Sequence, residues 1–437
     1  MEMEPQIRRR DLEGMRIGVV GCGIAGLASA IFLARRGAET TLFERFEAPR
    51  PLGAGFLLQP TGMAVLAALG LYDDVRQSGA RVDALTGFDW RGRRIVDLSY
   101  GDFDRRLYGL GVHRGVVFQA LYAAAGEAGV RFEFGAEAIG AEQNGGVARL
   151  ILRGGSSDGF DLLLIADGAR SGFREALGLT RRDAPYKWAC VWRIAADPGD
   201  LLAGDFGRTL DQRYDGARRM AGVLPIGAAP GNKARHAALF WSLKAQDHAE
   251  FQRGGREAWL TELRAFWPRF ADFIEAAPWE EPTLAVYRDV VTRRPYSGRI
   301  VLLGDAAHAM SPQLGQGANL ALLDAFALDR ALIEAGPEAA PARYAAMRRS
   351  QLGWYQLASR WLTPVFQSDR ALWGLGRDLL FPRLQRISLF RNEMLAGQAG
   401  MKRGLFSIDR RDWTPGLPPP QTRALAAEGR MVHAPGP

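Results

Sequence analysis

Lysine and cysteine are the scarce residues of this 437-residue chain. There are two cysteines, Cys22 and Cys190, which give no disulfide framework and fit a reducing compartment. Lysine occurs only at 187, 233, 244 and 402, so the 56 basic residues are almost all arginine. Against 48 acids they leave a net charge of +8. The arginines are scattered and no basic run interleaves with aromatics, so nucleic acid is not an expected partner. A positive field still favours anionic small molecules. Histidine is also sparse, at five, and no metal site is expected. Internal repeats are absent. The chain is 47% hydrophobic and 24% charged. That mixture excludes wholesale disorder or a fibre, and the length suits about two to three domains.

A long uninterrupted apolar span is missing too. The uncharged stretch Ile17–Ala34 follows three arginines, but glycines at 18, 21, 23 and 26 divide it. Neither a signal peptide nor a transmembrane segment is expected there. Residues 16–20 read as a buried strand, 27–36 as a helix stopped by Gly37, and 40–43 as a second strand ending at Glu44. The order is βαβ.

The turn between strand and helix is Gly21-Cys-Gly23-Ile-Ala-Gly26, a G-x-G-x-x-G. Gly21 permits the tight turn, Gly23 lets backbone approach a pyrophosphate, and Gly26 permits close helix–strand packing. The helix N-terminus offers unpaired N–H groups to the phosphates. Glu44 can accept hydrogen bonds from a ribose diol, and its carboxylate disfavours a 2′-phosphate, leaving FAD or NAD. Cys22 reads as a small packing residue.

Two further motifs bear on that choice. Residues 162–166 read as a buried strand running into Asp167-Gly168. Residues 299–303 read as another, running into Gly304-Asp305-Ala-Ala-His308. Pro312, then Gly315-Gln316-Gly317, then an apolar helix over about 318–332 follow. Asp305, at a strand end, can bond ribityl hydroxyls. The helix N-terminus beyond Gly317 can stabilise negative charge on a reduced flavin.

Together these motifs resemble the single-component (class A) FAD-dependent monooxygenases, the family of p-hydroxybenzoate hydroxylase. The likeness covers about residues 15–365, and 304–319 is its most specific part. It implies an α/β fold: a Rossmann-like FAD-binding domain with an inserted antiparallel β-sheet substrate domain and a C-terminal helical extension. The resemblance places Arg114 at the ribityl–pyrophosphate region, the loop Gly53-Ala-Gly55 near the isoalloxazine, and Pro312 beside its reactive edge. Asp167 falls on the FAD and nicotinamide-nucleotide side, with no separate domain for NAD(P)H, and His308 is structural. The implied cofactor-binding set is Gly21, Gly23, Ile24, Ala25, Gly26, Glu44, Arg45, Gly55, Arg114, Asp167, Gly304, Asp305, Pro312, Gly315, Gln316, Gly317 and Asn319.

The pattern changes after about residue 176. Residues 186–193 alternate like a half-buried strand. Residues 208–214 and 218–224 flank Asp215-Gly216 as a hairpin, and 236–243 is a further strand. Residues 81–100 are assigned to the same layer. Pocket candidates are Trp192, Arg193, Tyr214, Met220 and Phe240; which sheet face meets the flavin is open. Residues 256–277 read as a helix with an apolar core stripe, kinked at Pro268. The expected division is FAD-binding domain over 1–80, 101–175 and 298–365, substrate domain over 81–100 and 176–297, C-terminal helical region over 366–412, and a loose Pro-rich tail over 413–437.

The activity implied is NAD(P)H-dependent insertion of one oxygen atom of O2 into an aromatic or other electron-rich small molecule through a flavin C4a-hydroperoxide, by a cytoplasmic monomer or homodimer. No general base is assignable. A flavin-dependent reductase of isoprenoid double bonds and a non-catalytic FAD-binding redox sensor are alternatives. A flavin halogenase is disfavoured, because no lysine precedes Lys187 and Trp188 and Trp192 stand four apart.

Overall fold

The structure, a computed structural model, describes residues 12–48, 54–197, 199–202, 204 and 206–420. Gly53 and residues 421–437 of the expected tail lie outside them. Three continuous apolar runs, Arg16–Val20, Leu162–Ile165 and Ile300–Leu302, pair in parallel at the centre of a six-stranded sheet. Runs this apolar suit strands covered on both faces. Glu39–Glu44 and Arg131–Phe134 extend the sheet in parallel on one side, and Tyr296–Ser297 closes the other antiparallel. Helices α1 (Ile24–Arg35), α2 (Pro60–Ala68), α3 (Tyr72–Ser78), α4 (Arg114–Glu127) and α5 (Phe173–Ala176) accompany this part. A small sheet of Gly55–Leu58, Gly109–His113 and Ala80–Val82 lies beside it.

A seven-stranded sheet stands next to that unit. Its order is Thr283–Thr292, Thr180–Ala196, Asn232–Lys244, Arg219–Ala229, Thr209–Asp215, Ala84–Asp89, Arg94–Ser99. The hairpin at Asp215-Gly216 forms as expected, with Asp215 opposite Arg219 and Gly216 at φ +52°. The expectation of an antiparallel sheet needs one correction. Ala84–Asp89 runs parallel to Thr209–Asp215, because it arrives from a distant part of the chain rather than through a hairpin.

Residues 256–277 are two helices, α6 (His248–Phe266) and α7 (Pro268–Ala276). Pro268 opens α7 instead of kinking one long helix, a position where its missing N–H costs nothing. Trp259, Leu263, Phe266 and Phe270 are core, packed under the seven-stranded sheet. After α8 (Asp305–His308) comes α9 (Gly317–Phe366), broken at Gly336 (φ +71°). The C-terminal region holds α10 (Ala371–Leu384) and α11 (Ser388–Gln398), followed by an unforeseen two-stranded hairpin, Lys402–Gly404 with Ser407–Ile408. Trp413, expected to begin a loose tail, is 2% exposed and belongs to the main core.

Candidate functional site

Strand Arg16–Val20 ends in a turn that only glycine fits. Gly21 has φ +102° and donates its N–H to the Phe43 carbonyl. A Cβ on Gly26 would collide with the Gly21 carbonyl, so α1 can pack on the turn only without one. A Cβ on Gly23 would meet nothing within 4 Å, and Gly23 caps α1 with no side-chain bond, so the helix N-terminus stays open. Glu44 closes the turn from the neighbouring strand: its carboxylate accepts the Cys22 N–H at 2.9 Å and the Phe46 N–H at 3.2 Å. Burial, then the charge of Glu44, pushes the Cys22 thiol up to about 12, so Cys22 packs and does not react.

These groups open onto a cavity of about 630 Å³. Gly21, Gly23, Ile24, Glu44, Arg45, Arg114 and Asp167 line it, joining three strand ends and the first residue of α4. Asp167 is crowded on most sides yet still open to the cavity. Burial pushes its carboxyl above the usual range, partly offset by the polar and cationic groups beside it, Ser171, Arg174 and Arg45. Of the expected residues outside this lining, Ala25 and Gly26 belong to α1, Gly55 packs tightly on Ile226 and Ala238 of the seven-stranded sheet, and the rest form a second group. Gly304 (φ +57°) sits where a Cβ would press at 3.1 Å on Ala25 and 3.4 Å on Ala321, so α1, α8 and α9 converge there. Asp305 follows it, exposed, beside Gly317 at the start of α9. Gly315 adopts the left-handed conformation after Pro312.

Beneath this group lies a cluster that sequence reading did not find. Asp324, 0% exposed, accepts the Gly304 N–H at 2.8 Å, Arg348 Nε at 2.7 Å, and pairs with His308 Nε2 at 2.6 Å. Burial pushes the Asp324 carboxyl up, but His308 and Arg348 outweigh it and hold the group at about 2. His308 is structural, as expected. Only tertiary contact joins residues from α8 and two turns of α9, so no local pattern announces the cluster.

Two of the expected cofactor-binding residues have side chains already engaged within the protein. The Gln316 side chain is buried and donates to the Gln398 carbonyl at 2.7 Å, tying the turn to the end of α11. Asn319 is fully buried: its amide oxygen accepts the Gln59 N–H, and its amino group donates to the Leu57 and Gly315 carbonyls. Both side chains hold the glycine turn from behind, because a polar side chain in a packed interior must find backbone partners.

The seven-stranded sheet resolves which face looks toward this groove. Trp192, Met220 and Phe240 lie on the face that shares the core of the parallel sheet. Trp192 and Phe240 are cross-strand partners with ring centroids 5.2 Å apart. Phe240 lies over Gly222, where any side chain would strike its ring. Arg193 is one residue out of phase and points to the helical face. There it donates to the Glu280 carbonyl at 2.8 Å and to the Pro278 carbonyl, with Trp279 against it. Tyr214 is on the near face but 1% exposed, clamped by Arg377 at 4.4 Å and Phe366 at 5.3 Å. Arg193 therefore turns away from the groove face, and Tyr214 is fixed in the packing beneath it. Missed was Tyr287, whose hydroxyl accepts from Trp192 Nε1 at 3.3 Å; its strand, Thr283–Thr292, lacks a clean alternation and gave no signal.

The FAD binding domain family matches residues 15–350. The 6-hydroxynicotinate 3-monooxygenase of Bordetella bronchiseptica is 29% identical over 74% of this chain and 83% of its own. Salicylate hydroxylase of Pseudomonas putida is 30% identical over 73% of this chain and 77% of its own. A variant of 2-methyl-3-hydroxypyridine-5-carboxylic acid oxygenase superposes with a TM-score of 0.70 at 25% identity, covering 80% of this chain and 92% of that one. The open helix end, the glycine turn and the exposed Asp305 fit a flavin dinucleotide, and these likenesses agree with them: the chain belongs to the FAD binding domain family, among its FAD-dependent monooxygenases.

Proposed function

We propose that this enzyme hydroxylates a planar aromatic ring, using NAD(P)H as the electron source. The observation that carries the ring preference is the Trp192–Phe240 pair with Met220 on the sheet face turned toward the FAD fold. Flat apolar surfaces of this kind select flat apolar ligands. Two relatives named for oxygenating nicotinate and salicylate rings support this reading over double-bond reduction or sensing.

In this reading the α1 N-terminus and the Gly21–Gly26 turn take the pyrophosphate, and Arg114 adds charge beside it. Glu44 accepts from the adenosine ribose while holding the turn, and Asp305 accepts from the ribityl chain. FAD supplies the activation of O2. The start of α9, behind Gly315 and Gly317, places its positive dipole end where a reduced flavin carries negative charge. Trp192 and Phe240 keep water from the ring. Arg193 and Arg213 both turn to the helical face, Arg213 lying against Trp267. The ring is therefore held on this face by stacking rather than by a strand arginine. Asp211 also stands on the helical side, opposite Val223, and is no candidate base.

The test is turnover of ring compounds under isotopically heavy O2 with NADH or NADPH. Product carrying one labelled oxygen is expected. NAD(P)H consumption that never yields labelled product, across ligands that bind, would refute the proposal.

A further inference from the structure

The C-terminal region is built inside out. In α10 the face turned to the protein is Gly374 and Arg377. A Cβ on Gly374 would press at 2.6 Å on the Gly216–Ala217 backbone, and Arg377 donates to the Gly216 carbonyl at 2.9 Å. The leucines face outward. Leu372 (79% exposed), Leu375 and Leu379 form a stripe at three- and four-residue spacing, with Trp373 and Leu380 beside it. Behind them runs an apolar groove of about 450 Å³ between α10 and the end of α9.

The exposure continues through Ile387, Leu389 and Phe390. Trp361 on α9 and Phe406 at the C-terminal hairpin are also exposed. Of the 18 large exposed hydrophobics among the described residues, 12 lie between 357 and 406. A monomeric surface seldom concentrates them so.

Charge decides between occupants. Residues 370–391 carry five arginines and one acid, Asp378. Asp378 pairs with the buried Arg377 at 2.7 Å. Arg383 and Arg386 continue the leucine stripe by another turn, and with Arg370 they are exposed with no acidic partner among the described residues. A two-fold contact with a second copy would set these cations against one another. Anionic headgroups would neutralise them while the leucines and Trp373 entered the acyl boundary, the arrangement of an interfacial amphipathic helix.

We propose that α10 and the segment through Phe390 dock the enzyme on an anionic lipid bilayer surface. The surface is separate from the flavin groove, so it can be tested without turnover. The FAD-loaded full chain is sedimented with vesicles of phosphatidylcholine, alone or with about a third phosphatidylglycerol. The expected result is partition onto the anionic vesicles, weakened by salt. Leu372→Asp/Leu379→Asp should reduce it by about tenfold or more with flavin content and melting temperature unchanged. Arg383→Glu/Arg386→Glu, a second variant, should lose the preference for anionic vesicles. No partition of the parent protein, or equal partition of both variants, would overturn the proposal. So would a leucine variant that dissociates an oligomer without changing vesicle binding, since a second copy would then be what covers this face.

Discussion

In the proposed function Glu44 does two jobs with one carboxylate, bracing the turn and accepting from the ribose, and this makes it a sharp probe of the dinucleotide groove. Its oxygens already accept two backbone N–H groups, from Cys22 and Phe46, and each keeps a free lone pair for a ribose hydroxyl. Glu44→Ala removes both the ribose contact and the brace on the turn. FAD binding should weaken by about 1.5–3 kcal/mol, the range for a charge-assisted hydrogen bond. An unchanged flavin dissociation constant, measured by fluorescence titration of the apoprotein, would exclude this role. Asp305 differs because it is exposed and braces nothing. Asp305→Ala should purify with little flavin, while the apoprotein melts within about 0.5 kcal/mol of the parent, as surface changes do. Full flavin occupancy in that variant would remove Asp305 from the site. The positions of both residues were legible in the sequence: Glu44 ends the strand that follows the glycine-turn helix, and Asp305 follows closely on the apolar run Ile300–Leu302. The side chains of Arg193, Gln316 and Asn319 turn into the protein, which the sequence does not announce, for one reason. A residue type and a position say which group is available, but not which way the side chain turns.

At the scale of elements, period-two alternation locates strands without choosing their faces. Trp192 and Arg193 were therefore indistinguishable until the helices α6 and α7 claimed the odd-numbered side. The same face holds a titratable group with a measurable signature. Asp211 is buried, with the Thr86 and Thr209 hydroxyls on it and no ion pair among the described residues. Burial raises its carboxyl to about 6. A folded-state pKa above the unfolded value stabilises the protein when the group is protonated. That contribution is fully present below the unfolded pKa and is lost as pH rises through about 6. The cost by about pH 8 is roughly 2–3 kcal/mol. Asp211→Asn should therefore melt higher than the parent at about pH 8 and close to it at about pH 4. An equal difference in melting temperature at both ends would show that the side chain acts by packing and not by charge.

The whole molecule has one parallel sheet, one larger sheet beside it and a helical C-terminal region, and among the described residues no second dinucleotide fold. In the proposed function the nicotinamide nucleotide must then reach the flavin through openings that the ring substrate also uses. That arrangement carries a hazard: reduction without a bound ring would waste electrons on O2. Protection requires that reduction be slow until the ring is in place. The turn at Gly315 is the element to which we assign such control: it is left-handed, it is tied to the rest of the fold through Asn319, and the space a Cβ would occupy there is open. The resting enzyme should therefore consume NAD(P)H slowly, and a correct ring should accelerate consumption by more than about tenfold, equivalent to about 1.4 kcal/mol of barrier. Absorbance of the nicotinamide reports this directly, and acceleration by a bound but unreacted analogue would count equally. Gly315→Ala strains the left-handed position and should narrow the ratio between stimulated and resting rates while flavin content stays full. If an oxygenated substrate left the reduction rate unchanged in the parent enzyme, reduction would not be gated by the ring, and Gly315 would be a turn residue with no part in control.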